Sequence, residues 1–242
     1  MTIHIAMWSG PRNLSTAMMR SFSSRADTFV SDEPFYGAYL RQTGDPQPMA
    51  GEVIAAMDCD WQRIADTLRG PAPDGSAIWY QKQMSHHMEG PVSIDDFPDM
   101  RHAFLIRDPR RVAASYANKR SAIRPEHLGT ARQRAYFELV AERTGAPPPV
   151  IDSADVLAAP DTLLAKLCDA LQIPWDPAML AWARGPHSAD GIWGAHWYDK
   201  VNASTGFGGP PGELPQLDDA YREVAEACRA DYEALARYRL TV

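Results

Sequence analysis

The chain has 242 residues and a formal net charge of −7, with 45% hydrophobic and 23% charged residues. This length and balance predict a single domain over residues 1–242 that is large enough to bury a full core. The acidic balance argues against general attraction to nucleic acid or anionic lipid, so any anion site must be local. No apolar stretch approaches the roughly 20 residues of a membrane helix, so we expect no membrane partner.

The three cysteines, Cys59, Cys168 and Cys228, lie far apart and form no C-x-x-C pair. An odd number of dispersed cysteines argues against a disulfide framework and against a zinc site. The first apolar run is too short for a signal peptide and lacks a cationic leader. We therefore expect a cytoplasmic protein with reduced cysteines.

The stretch 3–22 predicts a strand, a tight turn and a helix. Residues 3–8 form an almost purely apolar run, Gly10 and Pro11 supply the turn, and Ser15 or Thr16 can cap the helix that follows. Unpaired backbone N–H groups and the positive end of the helix dipole meet at such a turn, which favours an anion. Arg12 adds a positive charge to this turn. The stretch therefore predicts a phosphate-binding loop, and the alternative is an ordinary turn with a surface arginine.

Strands and helices alternate along the rest of the chain. Further strands are predicted at 28–31, 77–84, 102–108 and 149–152. Helices are predicted at 52–69, from Pro109 onward, and at 125–143, 160–171 and 217–238. This alternation predicts an α/β fold of three layers, with a central, mostly parallel sheet between helices and a P-loop-like strand, turn and helix at its start.

Two segments are predicted to lack regular structure. Residues 36–51 contain Gly44, Pro46 and Pro48, and could form a mobile flap. Residues 185–215 are rich in glycine, proline and aromatic residues, and are too long for a simple connector. We expect this second segment to cap the site.

Two further features are predicted at the carboxyl edge of the sheet, where open α/β sheets place ligands. Glu33 follows the second strand, and Pro34 disfavours a helix at that position. Arg107 follows the fourth strand, so it could hold a second anion with the Ser115 hydroxyl; the alternative is that it pairs with Asp108 or another carboxylate. The surrounding region is locally basic, with Arg110, Arg111, Lys119, Arg120, Arg124 and Arg132.

These residues resemble the PAPS-dependent sulfotransferases. Residues 11–16, PRNLST, are similar to the family pattern P-[KR]-S-G-T-T, and residues 107–116 match R-D-P-x-x-x-x-x-S-x. Residues 152–160 and 171–174 look like degenerate copies of two later patterns. The resemblance spans about residues 3–182 and is closer to the tyrosylprotein and bacterial types than to the cytosolic animal members, whose G-x-x-G-D-W-K segment is absent.

The resemblance implies two phosphate sites, which distinguish PAPS from ATP. The 5′-phosphosulfate would contact the loop residues Arg12, Asn13, Leu14, Ser15 and Thr16. The 3′-phosphate would contact Arg107 and Ser115. Asn13 and Leu14 replace the Ser-Gly of the family pattern, which reduces the backbone freedom of the loop.

The resemblance also implies the chemistry. Transfer needs a base for the acceptor and positive charge on the departing phosphate oxygen. Glu33 stands where tyrosylprotein-type members have their base, and His86 or His87 where cytosolic members have a histidine; we favour Glu33, although it could instead be a structural, ion-paired residue. Lys82 resembles the lysine that acts with Arg12 on the leaving group. No metal is expected.

The expected function is sulfuryl transfer by in-line displacement from PAPS to a hydroxyl, or less favourably an amine, of a small molecule, giving PAP. The acceptor would lie between residues 36–51 and the aromatic side chains of the tail. These aromatic residues are Trp193, Trp197, Tyr198 and Phe207. The alternatives are a P-loop kinase of a small metabolite and a non-catalytic nucleotide-binding module of the same fold. The acceptor and the oligomeric state are left open.

Overall fold

The computed structural model describes residues 2–117 and 123–242, in which five parallel strands form one sheet. The strands are β1 (Ile3–Ser9), β2 (Thr28–Asp32), β3 (Ile78–Met84), β4 (Arg101–Ile106) and β5 (Val150–Asp152). Their order is β2-β3-β1-β4-β5, so β1 lies at the centre and pairs with β3 and β4. After β1, the strands β2 and β3 form one side of the sheet, and the chain then crosses β1 to form β4 and β5 on the other side. This reversal next to β1 opens a crevice at the carboxyl edge.

Side chains of the strands alternate between two hydrophobic cores. Ala6 and Trp8 of β1 belong to one core, whereas Ile5 and Met7 belong to the other, and all four are fully buried. This alternation is what a period of two residues requires of a strand covered on both faces. The sheet is therefore the middle of three layers, and the predicted α/β fold class is confirmed.

Helices cover both faces of the sheet. In the described ranges the α-helices are α1 (Ser15–Ser23), α2 (Tyr36–Thr43), α3 (Ala50–Ala56), α4 (Trp61–Arg69), α5 (Pro109–Ala117), α6 (Pro125–Leu128), α7 (Thr130–Thr144), α8 (Ser153–Ala158), α9 (Pro160–Ala170), α10 (Gly194–Trp197), α11 (Asp199–Asn202), α12 (Asp219–Ala227) and α13 (Arg229–Ala236). Short 3₁₀ helices lie at Ser85–His87, Ile94–Asp96 and Pro177–Leu180. The first core joins the sheet to α4 and α7, and the second joins it to α1 and α9.

Several predicted boundaries were wrong. The segment 36–51 is not an irregular flap, because α2 occupies its first half and only the loop around Pro46 and Pro48 is irregular. The helix predicted at 52–69 is two helices, since the Asp60 side chain accepts a hydrogen bond from the Arg63 N–H and starts α4 afresh. The helix predicted at 125–143 is interrupted at Gly129, whose φ is 70°.

The end of the chain differs from the prediction as well. The helix predicted at 217–238 is divided into α12 and α13 at Cys228. Beyond α13, Arg239 forms a parallel bridge with Val150, and the Leu240 N–H donates to the Val150 carbonyl oxygen at 2.8 Å. The tail thereby extends the β5 edge of the sheet. The basic residues Lys119 and Arg120 lie outside the described residues. Among the helices of the described ranges, none is long and apolar enough to cross a membrane.

Candidate active site

The loop between β1 and α1 holds two non-glycine residues in the left-handed region, Arg12 with φ 57° and Leu14 with φ 66°. Each costs about 1–2 kcal/mol of backbone strain, so the surrounding structure must hold the loop in place. The Asn13 side-chain amide donates to the Leu105 carbonyl oxygen at 2.6 Å, and Arg107 donates to the Arg12 carbonyl oxygen at 2.5 Å. The loop is thus tied to β4 on the far side of the crevice.

The start of α1 differs from the prediction. Neither Ser15 nor Thr16 caps the helix: both lie within it, and the capping position is Leu14, which forms no side-chain cap. The first backbone N–H groups of α1 are therefore not covered by a capping side chain. This leaves donors for an anion at the end of the helix where the dipole is positive.

A second set of basic side chains faces the loop from β4 and α5. The Arg12 Nε–H donates to the Ser115 hydroxyl at 2.9 Å, which joins the loop to α5. The Asp108 carboxylate accepts from the Arg110 backbone N–H at 2.8 Å, whereas the Arg107 guanidinium donates to the loop. The predicted direction of Arg107, toward the first loop, is confirmed.

The positive charges of Arg12, Arg107 and Arg111 repel one another. Burial lowers the pKa of Arg107, and the positive charges of Arg111 and Arg12 lower it further. Burial also lowers the pKa of Arg12. Because like charges held close together favour a bound anion, the cluster suits a ligand with phosphate groups.

Buried charges lie at the ends of β2 and β3. The strand register places Asp32 opposite Lys82. The Lys82 ammonium donates to Asp32 Oδ1 at 2.8 Å, to Glu33 Oε1 at 2.7 Å and to the Tyr198 hydroxyl at 2.7 Å. Lys82 and Asp32 are each 1% exposed and Glu33 is 11% exposed. All three N–H bonds of the ammonium therefore have protein acceptors.

This cluster has one positive charge for two carboxylates. Burial opposes the charge of Lys82, yet Asp32 and Glu33 outweigh burial and hold the pKa of Lys82 well above its ordinary value. Burial raises the pKa of Asp32, as does the neighbouring Glu33. Burial and Asp32 raise the pKa of Tyr198, so its phenol stays protonated.

The two histidines differ in their relation to Glu33. His87 Nδ1 lies 3.9 Å from Glu33 Oε2, and the His87 ring stacks on Tyr36 and Tyr39 at centroid distances of 4.6 and 4.8 Å. Burial lowers the pKa of His87, and Lys82 lowers it further, so the ring is neutral. His86 packs edge-on against Tyr39. Of the two, His87 is the histidine next to the carboxylate.

One cavity of about 650 Å³ joins the basic loop to the acidic cluster. The predicted site residues all line it: Arg12, Asn13, Leu14, Ser15, Thr16, Glu33, Lys82, His86, Arg107 and Ser115. The four aromatic residues of the tail line it too, and Arg12 lies 5.7 Å from the centroid of the Trp197 ring. The sequence did not single out other lining residues such as Gln47 and Trp182, and it gave no role of its own to Arg111. They lie on helices or loops whose approach depends on the whole fold.

The capping segment is fastened to the sheet by buried polar contacts. Both nitrogens of the Arg20 fork bind the Asp190 carboxylate at 2.6 Å. The Asp32 carboxylate accepts from the Gly191 N–H at 3.1 Å and from the Tyr198 hydroxyl at 2.8 Å. The Trp193 indole N–H donates to the same hydroxyl at 3.0 Å. Trp193 and Tyr198 of the capping segment are thus joined by hydrogen bonds to the cluster of Asp32, Glu33 and Lys82.

Within residues 2–117 and 123–242, no group of three or more His, Cys, Asp or Glu side chains is arranged to hold a metal ion. Metal independence stays a prediction.

The fold and the site define an α/β protein whose ligand cavity lies at the carboxyl edge of a parallel sheet. A family model described as Sulfotransferase domain matches residues 3–237, and the chain belongs to this family. Family membership supports sulfuryl transfer as the general activity.

Solved structures agree on the fold. A sulfotransferase from Alicyclobacillus acidocaldarius superposes with a TM-score of 0.56 at 12% identity, covering 99% of this chain and 98% of that one. The sulfotransferase domain of the Synechococcus PCC 7002 olefin synthase gives a TM-score of 0.54 at 18% identity, covering 93% and 94%. At such identities the likeness establishes the fold alone.

Two curated relatives come from Arabidopsis thaliana. Branched-chain-amino-acid aminotransferase-like protein 2 is 32% identical over 232 residues, which are 96% of this chain and 41% of the relative. Branched-chain-amino-acid aminotransferase-like protein 1 is 36% identical over 208 residues, which are 85% of this chain and 37% of the relative. The chain spans about two fifths of the length of these relatives.

Proposed function

We propose that the protein transfers a sulfuryl group from PAPS to a hydroxyl, or less favourably an amine, of a small molecule, giving PAP. The observation that carries this proposal is the single cavity lined both by the arginines of the two basic segments and by Glu33. The basic part suits the phosphates of the donor. The carboxylate of Glu33 suits the removal of a proton from the acceptor.

The residues present fit the donor. The loop 12–16, with uncapped N–H groups at the start of α1, would hold the phosphosulfate end. Arg107 and Ser115 would hold the 3′-phosphate on the other side of the loop. The mutual repulsion of the buried guanidinium groups supports this assignment, because an anion with two phosphate groups would relieve it.

The chain's residues divide the chemistry between them. PAPS, when bound, supplies the sulfuryl group. Glu33 accepts the acceptor's proton, and the Lys82 ammonium donates to Glu33 Oε1 at 2.7 Å, which holds the carboxylate in position. Because the ammonium of Lys82 already has three acceptors, the positive charge for the departing phosphate oxygen comes first from Arg12. His87 is the nearer histidine to Glu33, and its ring is stacked between Tyr36 and Tyr39 of α2.

A glutamine at position 33 tests the proposal. Glu33→Gln keeps the size of the side chain and an oxygen for Lys82, so the fold and the affinity for PAP should be retained. Turnover should fall by about 10²–10⁴-fold, the usual contribution of a general base. Mass spectrometry of sulfated product measures turnover with an acceptor found by screening, and calorimetry measures PAP binding. Glu213→Gln, at another glutamate of the cavity lining, is the matched control.

The outcomes separate the alternatives. Unchanged turnover in Glu33→Gln removes Glu33 from the mechanism. PAP binding without sulfated product from any acceptor favours a non-catalytic module. Family membership counts against a kinase, which would show activity with ATP that a metal chelator abolishes.

A further inference from the structure

Arg111 is a basic residue of the cavity that the family-like motifs do not include. It lies on α5 four residues before Ser115, so both side chains leave the same face of the helix. Both line the cavity, together with Arg107. The helix thus directs a second guanidinium toward the region assigned to the 3′-phosphate.

The contacts of Arg111 leave its charge uncompensated. Its guanidinium donates to two main-chain carbonyl oxygens, that of Gly212 and, at a long 3.3 Å, that of Glu213. Both belong to the strap, which we define as residues 208–215, with the sequence GGPPGELP. None of the ion pairs of the described residues includes Arg111. Bonds to neutral carbonyls are weaker than bonds to a phosphate dianion.

The strap cannot supply positive charge itself. From position 203 to position 221 the chain has no lysine or arginine. The strap covers α5 through Arg110 and Arg111, and its Glu213 and Pro215 line the cavity. A cation for an anion under the strap must therefore come from outside the strap, and Arg111 of α5 is a cavity-lining arginine that contacts it.

Arg111 and Arg107 line the same cavity, and the charge of Arg111 acts on Arg107. After burial, the charge of Arg111 is the largest influence that lowers the pKa of Arg107, ahead of that of Arg12. Three guanidinium groups thus share one part of the cavity, and a monoester phosphate with two negative charges matches them better than a singly charged group does.

We propose that Arg111 is a phosphate-binding residue that exchanges the strap carbonyls for the 3′-phosphate of the nucleotide. The proposal rests on the proposed function, because it takes a nucleotide with a 3′-phosphate as the ligand. It adds a third side chain to Arg107 and Ser115. It also makes the strap a cover that gives up hydrogen bonds when the nucleotide binds.

Arg110 provides a matched control. It is the neighbouring residue on α5 and also donates to the strap, to the Pro215 carbonyl oxygen at 3.2 Å, but it does not line the cavity. Arg110→Gln and Arg111→Gln remove the same charge and each remove strap contacts. Only Arg111→Gln removes a guanidinium that can reach a ligand.

The experiment measures the dissociation constants of PAP and AMP by calorimetry for the wild type and both variants. AMP lacks the 3′-phosphate. In Arg111→Gln we expect the PAP affinity to fall roughly 10- to 100-fold, the usual effect of one hydrogen bond between charged groups, while AMP affinity stays the same. In Arg110→Gln we expect both affinities to stay near those of the wild type. Thermal unfolding of each variant confirms that it is folded.

Three results would overturn the inference. In the first, Arg111→Gln binds PAP as tightly as the wild type does. In the second, Arg111→Gln loses affinity for PAP and AMP equally. In the third, Arg110→Gln loses as much PAP affinity as Arg111→Gln, which would make the strap contacts the cause. A wild type that binds AMP as tightly as PAP refutes the proposed donor as well. The failure of the proposed function thus appears in the wild type, and the failure of this inference alone appears only in the variants.

Discussion

Replacing Lys82 by methionine leaves Asp32 and Glu33 as two buried carboxylates without a counterion. The ammonium lies 2.8 Å from one and 2.7 Å from the other, and the three side chains are 1%, 1% and 11% exposed. Removing one partner of a buried ion pair costs about 3–5 kcal/mol. Because Glu33 borders the cavity and can reach water, we expect Lys82→Met to lose about 3 kcal/mol of unfolding free energy at pH 8.

The loss should depend on pH in a definite direction. Burial already raises the pKa of Asp32 in the intact cluster, and losing Lys82, whose charge lowers that pKa, raises it further in the folded variant. Groups whose folded pKa is raised lose stability as the pH rises through that pKa. The deficit of Lys82→Met relative to the wild type should therefore be largest at pH 8 and shrink toward pH 5.

Urea unfolding at both pH values measures the deficit. The double variant Asp32→Asn with Lys82→Met removes one of the two charges and should recover part of the loss, about 1–2 kcal/mol. Lys200→Met, at an exposed lysine of the same cavity, should stay within about 0.5 kcal/mol of the wild type. A deficit below about 1 kcal/mol that is equal at pH 5 and pH 8 would refute the role of Lys82 as counterion.

Two further perturbations test the loop and the core. A Cβ at Gly10 would lie 2.3 Å from the Leu128 carbonyl oxygen, so Gly10→Ala should lower the free energy of unfolding in urea by about 1–3 kcal/mol and weaken PAP binding. A Cβ at Gly51 meets no atom within 4 Å, so Gly51→Ala should do neither. Equal effects of the two substitutions would contradict this prediction. Burial lowers the pKa of His102 in the folded protein to about 4, whereas the unfolded chain takes up the proton near pH 6.5. Acid therefore favours the unfolded chain, and the free energy of unfolding should fall by roughly 3 kcal/mol between pH 7 and pH 4. His102→Gln keeps an acceptor for the Trp8 indole and should remove the roughly 3 kcal/mol due to His102 while the part due to His87 stays, and an unchanged pH profile would exclude a contribution from His102.

The sequence predicted the strands and the residues at their ends because these signals are local. The apolar run of β1 and the turn residues after it are contiguous, and Arg107 directly follows a buried strand. Parallel strands bring their carboxyl ends to one edge without any further information. The convergence of the basic loop with Arg107 follows from this geometry alone.

The errors arose where distant contacts decide the structure. Gly44, Pro46 and Pro48 made the segment 36–51 look irregular, yet α2 is stabilised by its buried side chains, including Leu40. The division between α3 and α4 is a different case, because its signal is local: Asp60 caps α4. The apolar residues continue at helical spacing on both sides of Asp60, so the sequence was interpreted as one helix.

The buried ion pairs could not be predicted from sequence at all. Arg20 looks like a surface residue of an apolar helix, and its partner Asp190 is 170 residues further along the chain. The pairing of Asp32 with Lys82 depends on strand register, which crossover connections set. Residues of opposite charge are frequent in the sequence, and only the fold selects the pairs.

The two ends of the capping segment, residues 185–215, are held to the rest of the chain by different kinds of contact. Lifting the capping segment away from α1 breaks the Arg20–Asp190 pair, whose side chains are 2% and 10% exposed, at a cost of about 3–5 kcal/mol. That cost alone makes such an opening about two to four orders of magnitude rarer than a free motion. The strap, at the other end, is attached to α5 by hydrogen bonds from Arg110 and Arg111 to main-chain carbonyls, and the bonds of Arg111 are exposed to water. Water can replace the Arg111 bonds as they break, whereas the charges of the Arg20–Asp190 pair would separate while still largely buried, so the strap is the end of the segment that is easier to displace.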